Sequence, residues 1–79
     1  MTHELKCHPP YFEDVRTEKK PFEVRKKDRD YRVGDTLNLR EWLPETKKYT
    51  GRQGWYDITY ILDGGAFGIE EGYCVMGVL

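Results

Sequence analysis

No apolar run in the sequence approaches the roughly 18 residues that a membrane-spanning helix requires, so no spanning segment is expected. No apolar h-region follows the N-terminus, and secretion is not indicated. Cysteine is scarce: Cys7 and Cys74 stand near opposite ends of the chain. They read as reduced thiols held in a core or strand of a cytoplasmic protein. A bridge between them requires the first and last strands to be neighbours. Histidine is equally scarce. His3 and His8, even with Cys7, match no common zinc spacing, so no metal and no cofactor is expected. With no repeat, no low-complexity tract and no break in composition, residues 1–79 read as a single domain with a small core.

Apolar residues are few, at 38%, and charged residues many, at 34%. That balance points towards disorder until the aromatic residues are considered. Six Tyr, three Phe and two Trp each bury a large area, so a compact core can be built from few residues. The net charge of −1 hides a segregation. Residues 16–32 hold eight Lys and Arg against four Asp and Glu, and the remainder of the chain is acidic. Such a field draws a polyanion to one face only. The isoelectric point near 6.1 argues against tight, non-specific nucleic-acid binding, for which a value above about 9 is usual.

The elements follow from periodicity. Residues 2–7 alternate weakly and predict a first strand, ended by Pro9 and Pro10. Pro10 suits the first turn of a helix. Tyr11, Phe12 and Val15 then give a short helix over about 10–17 one apolar edge, with acidic residues near its start and Arg16, Lys19 and Lys20 at or beyond its end. A second strand runs over 21–26, and 26–32 reads as an exposed charged loop whose return is anchored by Tyr31 and Val33. Gly34 permits the turn at 33–35. Residues 36–42 alternate cleanly, and 44–52 read as a hairpin connection. The strand over 53–62 carries apolar residues on both faces, as in a strand that is central or bends between two environments. A turn-rich loop precedes the last strand, 73–79.

The resulting order is β-α-β-β-β-β, mainly β with one or two short helices, an α+β class. Five strands in so short a chain predict a small pseudo-β-barrel with the helix plugging one end. Phe12 and Phe22 are expected in the core. Tyr11, Trp42, Trp55, Tyr56 and Tyr73 divide between core packing and stacking on unpaired bases.

Lys20, Glu23 and Arg25 form the candidate site. On a strand, 23 and 25 share a face and 20 sits at its mouth. Arg grips a phosphate or base edge with a fork, and Glu accepts from an amino group on a base. The competing reading is a salt-bridge set on a solvated strand face. Lys26, Lys27, Arg29 and Arg32 are loop cations suited to phosphate contact without sequence readout, with Asp28 and Asp30 neutralising part of their charge. His3 is expected as a capping or surface residue, with an acid–base role only if it lies beside Lys20 and Glu23. The Gly64-Gly65-x-x-Gly68 loop lacks the strand-to-helix context and the Lys-Ser/Thr pair of a phosphate cradle.

Several segments occur together in one order: His3-Glu4-Leu5-Lys6 before a Tyr-Phe helix, Lys20-x-x-Glu23-x-Arg25, Asp28-Arg29-Asp30-x-x-x-Val33-Gly34-Asp35 and Leu39-Arg40-Glu41. This set resembles the ASCH domain of the PUA-like superfamily. More narrowly it is similar to a small bacterial and phage branch of single-domain proteins, which also show Thr50-Gly51-Arg52, Tyr60-Ile61-Leu62 and Gly72-Tyr73. The resemblance covers nearly the whole chain and implies a pseudo-barrel that binds RNA or a nucleotide. A few relatives are amidohydrolases acting on acetylated cytidine, with a Gly-x-Lys-Thr-x-Thr-x-Arg-like strand carrying the catalytic Lys and Thr. Lys20 falls on that Lys and Arg25 on that Arg, but Glu23 stands where the Thr belongs, which removes the nucleophile. A hydrolase reading then rests on Lys20 and Glu23 as an acid–base pair. A third reading is a phage or mobile-element accessory protein that binds another protein, which an exposed apolar patch favours. The expected partner is RNA or a modified nucleoside, and the expected state is a cytoplasmic monomer away from membranes.

Overall fold

A computed structural model describes all residues, 1–79. Its elements are β1 (Thr2–Cys7), α1 (Tyr11–Arg16), β2 (Phe22–Lys26), β3 (Thr36–Leu43), β4 (Lys48–Asp63) and β5 (Tyr73–Val78), the order that the periodicity predicts. No helix is long and apolar enough to cross a membrane. The strands form one mixed sheet in the order β1-β3-β4-β5-β2. β1 runs parallel to β3 and every other pair is antiparallel.

β4 is 16 residues long. Its residues up to Asp57 pair with β3 and those from Ile58 pair with β5, so one strand serves both halves of the sheet. The register shifts between Arg40 and Trp42 and between Ile58 and Tyr60, and such irregularities bend a sheet. This is the bending that apolar residues on both of its faces imply. β4 also starts earlier than the sequence suggests. Trp42 faces Tyr49, the Arg40 guanidinium lies 3.8 Å from the Tyr49 ring, and Thr50 donates to Glu41. These cross-strand contacts carry the ladder into a segment that reads as turn formers and shrink the connection to 44–47.

Leu37, Leu39, Ile58, Cys74, Met76 and Phe12 are fully buried and form the centre of the core. A helix of six residues has little stability alone, so α1 is held by Phe12 and Val15 packing under the sheet. Phe22 is not in the core. Along β2, Glu23 turns inward while Phe22 and Val24 face solvent. Val33 is exposed as well, leaving Tyr31 as the buried anchor of the loop. Both cysteines are buried and free, and β3 and β4 lie between the strands that carry them.

His3 is no surface residue. The alternation of β1 turns His3, Leu5 and Cys7 inward. The His3 ring meets Tyr31 edge-on at 4.8 Å, and its Nε2 lies 2.8 Å from Asp35 Oδ2. Asp35 also accepts from the N-terminal ammonium and from the Arg32 backbone N–H, which ties the end of the charged loop to β1. The hydrogen bond from His3, followed by these two, holds the Asp35 carboxyl below its ordinary range. On α1, hydrogen bonds from Arg16 and then Arg52 hold Glu13 down from 4.5 to about 2. A carboxylate with a depressed folded value contributes stability above its unfolded value and loses it as pH falls towards the folded one. Thermal melts are therefore expected to be flat down to about pH 4.5 and to decline from there towards pH 2. Asp35→Asn should remove part of that slope.

The sheet does not close into a barrel. β1 and β2 are both edges, and no ladder joins them. Side chains span the gap instead: Arg25 Nη2 donates to Lys6 O at 2.8 Å, and Arg29 Nη1 reaches Glu4 O at 3.5 Å. Two guanidinium groups thus occupy carbonyls of the β1 edge that a backbone neighbour takes in a closed barrel. The open seam between the two edges is where the charged residues of β2 collect.

Candidate functional site

Glu23 lies on the floor of this seam and is only 2% exposed. Its Oε1 accepts from Lys20 Nζ at 2.8 Å and its Oε2 from Arg25 Nε at 3.0 Å. The geometry follows from the local chain. Glu23 and Arg25 are two apart on β2, and Lys20 precedes the strand by two residues, with its backbone N–H held by Asp14 O at the end of α1. The three residues selected from the sequence therefore share one concave site, a cleft of about 350 Å³. Small-molecule pockets start near this size, at roughly 300 Å³.

The other walls come from β1 and α1. Lys6, Cys7 and His8 line one side, and Tyr11 lines the end by the helix. Lys20 Nζ sits 5.6 Å from the Tyr11 ring and 5.4 Å from that of Phe22. Across the cleft, Lys6 Nζ lies 4.5 Å over the Trp42 ring, on which His8 also stacks at 5.7 Å. Two cations thus hold the carboxylate, and Lys6 adds a third along the wall of the cleft. Lys20 spends one of its three donors on Glu23, and Arg25 spends Nε and Nη2, so donors remain for an incoming anion. Glu23 has both oxygens engaged and acts as the anchor that aims the two cations, a different task from accepting a base amino group.

A second depression of about 370 Å³ continues along β1 and shares Lys6 and Arg25 with the first. Lys26 and Arg29 line it. Lys27 does not belong to either: adjacent residues of an extended chain diverge, and its ammonium turns to Asp63, 2.8 Å away on β4. Asp28 lies 3.7 Å from Arg29, and Asp30 pairs with Arg32, the partial neutralisation expected of this loop. His3 lies apart from Lys20 and Glu23, in the core against Asp35 and Tyr31. Among the aromatic candidates, Tyr11 borders the cleft directly and Trp42 backs its far side. Trp55 and Tyr73 are exposed elsewhere, and Tyr56 packs against the core.

Lys6, Cys7 and His8 were not singled out as a site by the sequence, because their place opposite β2 depends on which strands become edges. Cys7 tests the chemistry of the cleft. Burial, reinforced by the nearby Glu23 charge, pushes its thiol up to about 11. It remains protonated at neutral pH and offers no thiolate nucleophile.

A protein-family profile described as "Domain of unknown function (DUF3850)" matches residues 2–78. The chain belongs to the DUF3850 family. It is similar to a protein of Escherichia phage P2 called "Uncharacterized 12.9 kDa protein in GpA 3'region", with 48% identity over 61 residues. That match covers 77% of this chain and 54% of the phage protein, so the chain spans about half the length of this curated relative. Both depressions of this DUF3850 domain lie within the residues that the family profile matches.

Proposed function

We propose that the seam between β1 and β2 binds a nucleotide or a short single-stranded segment of RNA, as the resemblance to ASCH and PUA-like domains implies. The observation that carries this reading is the buried Glu23 carboxylate holding Lys20 and Arg25 at the floor of a cleft that Lys6 also lines. In this reading the spare donors of Lys20, Arg25 and Lys6 take a phosphate, and Tyr11 or the His8–Trp42 pair takes the base. Lys26 and Arg29 extend the cationic track along β1 for a following phosphate. The mixed charge of the cleft suits a small nucleotide-like ligand better than a bare polyphosphate chain.

The test is titration of the protein with mononucleotides and short unpaired RNA, followed by calorimetry. Lys20→Ala and Arg25→Ala are each expected to weaken binding about tenfold or more, which corresponds to roughly 1.4 kcal/mol. Affinity should fall with salt, with a slope of about 0.7 per neutralised phosphate. Unchanged affinity in both variants at low salt would rule the cleft out. Acetylated cytidine belongs in the same series: its turnover by the wild type, lost in Lys20→Ala, would transfer the assignment to hydrolysis.

A further inference from the structure

The cleft gives Tyr11, His8 and Trp42 a task and leaves two exposed rings of β4, Tyr49 and Trp55, without one. Leu37, Leu39 and Tyr56 turn inward from β3 and β4, so Asn38, Arg40 and Trp55 lie on the outer face of the sheet. The register sets this face out in rows across β1, β3 and β4. Lys6, Arg40 and Gln53 form one row, and Glu4, Asn38 and Trp55 form the next. On the other side of the Lys6 row, Trp42 faces Tyr49. Trp55 is 59% exposed and Tyr49 40%.

The side chains around these rings are fixed. The Arg40 guanidinium lies 3.8 Å from the Tyr49 ring and is itself bound to Glu4 Oε1 at 2.6 Å, which meets the charge of that carboxylate. Asn38 Nδ2 donates to Gln53 Oε1 at 3.3 Å, so the Gln53 amide N–H groups are left to donate elsewhere. Two lanes result. Cations follow the β1 edge, and exposed rings follow β4, two strands and about 10 Å away.

Resting on the cleft reading above, we propose that the ligand is a single strand of RNA and not a free nucleotide, and that it continues from the cleft along β1 with its following bases laid over Tyr49 and then Trp55. Tyr49 lines the second depression, which shares Lys6 and Arg25 with the cleft, so a phosphate on those two residues joins the two sites. From Lys6 to Trp55 the backbone positions are about 7 Å apart along the strands and 10 Å across them, a gap of about 12 Å. A mononucleotide in the cleft does not span it. A strand that rises about 3.4 Å per stacked nucleotide, and more when extended, spans it in about two to four nucleotides. Surfaces that track unpaired nucleic acid combine a cationic groove with rings on which bases stack. A protein partner is less well served, because Arg40 and Gln53 interleave the rings and break up the contiguous apolar patch that such a partner needs. The track ends beyond Trp55, where Asp57 occupies the next outward position of β4.

The test is titration of the full chain with uridine monophosphate and with unpaired oligouridine of about two, four and six nucleotides. Affinity should rise with length up to about four nucleotides. Trp55→Ala should weaken the longest oligonucleotide about fivefold to 150-fold, the value of one base–aromatic stack, and leave mononucleotide affinity and the melting temperature near wild type. Trp42 and Trp55 are the two tryptophans of the chain, so Trp42→Phe makes Trp55 the sole reporter. Its fluorescence should be quenched by the six-nucleotide strand and not by the mononucleotide. Equal affinity for the mononucleotide and the oligonucleotides, or a Trp55 emission that the longest strand does not move, overturns the proposal while the cleft reading stands. Oligonucleotide affinity unchanged in Trp55→Ala does the same and leaves Trp55 to a protein partner. Oligonucleotide binding that is indifferent to Lys20→Ala and Arg25→Ala overturns the cleft reading and the continuation together, even where Trp55 is quenched.

Discussion

Replacing both cations of the cleft, as Lys20→Met with Arg25→Met, is expected to cost about 3–5 kcal/mol of folding stability at pH 7. The two methionines leave Glu23 buried with neither partner, and an uncompensated buried carboxylate is among the most costly groups a fold can contain. A chain of 79 residues has roughly 4–12 kcal/mol in total, so the variant stands near the edge of unfolding. Adding Glu23→Leu should recover most of the loss, because replacing a buried ion set entirely by apolar side chains is often neutral or stabilising. The triple variant would then be folded and unable to bind a nucleotide. Urea denaturation gives the midpoints of the three proteins, and titration gives their affinities. A double variant that loses under about 1 kcal/mol would return the triad to an ordinary solvated salt-bridge set. Recovery in the triple variant separates what the triad does for stability, which is little, from what it does for a ligand.

The triad was legible because its geometry is local. Glu23 and Arg25 share a face by the period of a strand, and Lys20 stands just before it. The strands were legible for the same reason, since Leu37 and Leu39, or Cys74, Met76 and Val78, alternate without interruption. What failed depended on parity or on distant partners. Residue type places Phe22 in the core, yet Glu23 and Phe22 cannot both face inward from adjacent positions, and the pairing of Glu23 with Lys20 and Arg25 decides between them. Composition groups Lys27 with Lys26, although neighbours on an extended chain point apart. His3 had no visible partner until the loop returned Asp35 to β1. The open barrel rests on distant pairings that no local pattern carries: β1 and β2 end as the two edges, and Arg25 and Arg29 reach across the gap to carbonyls of β1. The same open seam placed Lys6 and His8 in the cleft.

Two adjacent residues of α1 should separate fold from function. Phe12→Ala is expected to cost about 3–5 kcal/mol, since the ring is fully buried and its removal leaves a cavity. The Arg52 guanidinium, 5.0 Å from that ring and hydrogen-bonded to Glu13, loses its support as well. With only Val15 left to hold it, a six-residue helix should detach. Lys20 is tied to the helix through Asp14 O, so the cleft should loosen with it and nucleotide affinity should fall alongside stability. Tyr11→Ala changes the next residue along, whose ring is exposed over the cleft. Its urea midpoint should stay near the wild-type value, within about 0.5 kcal/mol. Its affinity for an unpaired base should drop by the value of one stack, about 1–3 kcal/mol, or about fivefold to 150-fold. Affinity unchanged in Tyr11→Ala would remove the helix from the binding surface and leave the His8–Trp42 wall to hold the base. Affinity lost in Tyr11→Ala at unchanged stability places the ring in the binding surface, in contact with the ligand or as the support of Lys20, whose ammonium lies 5.6 Å from it.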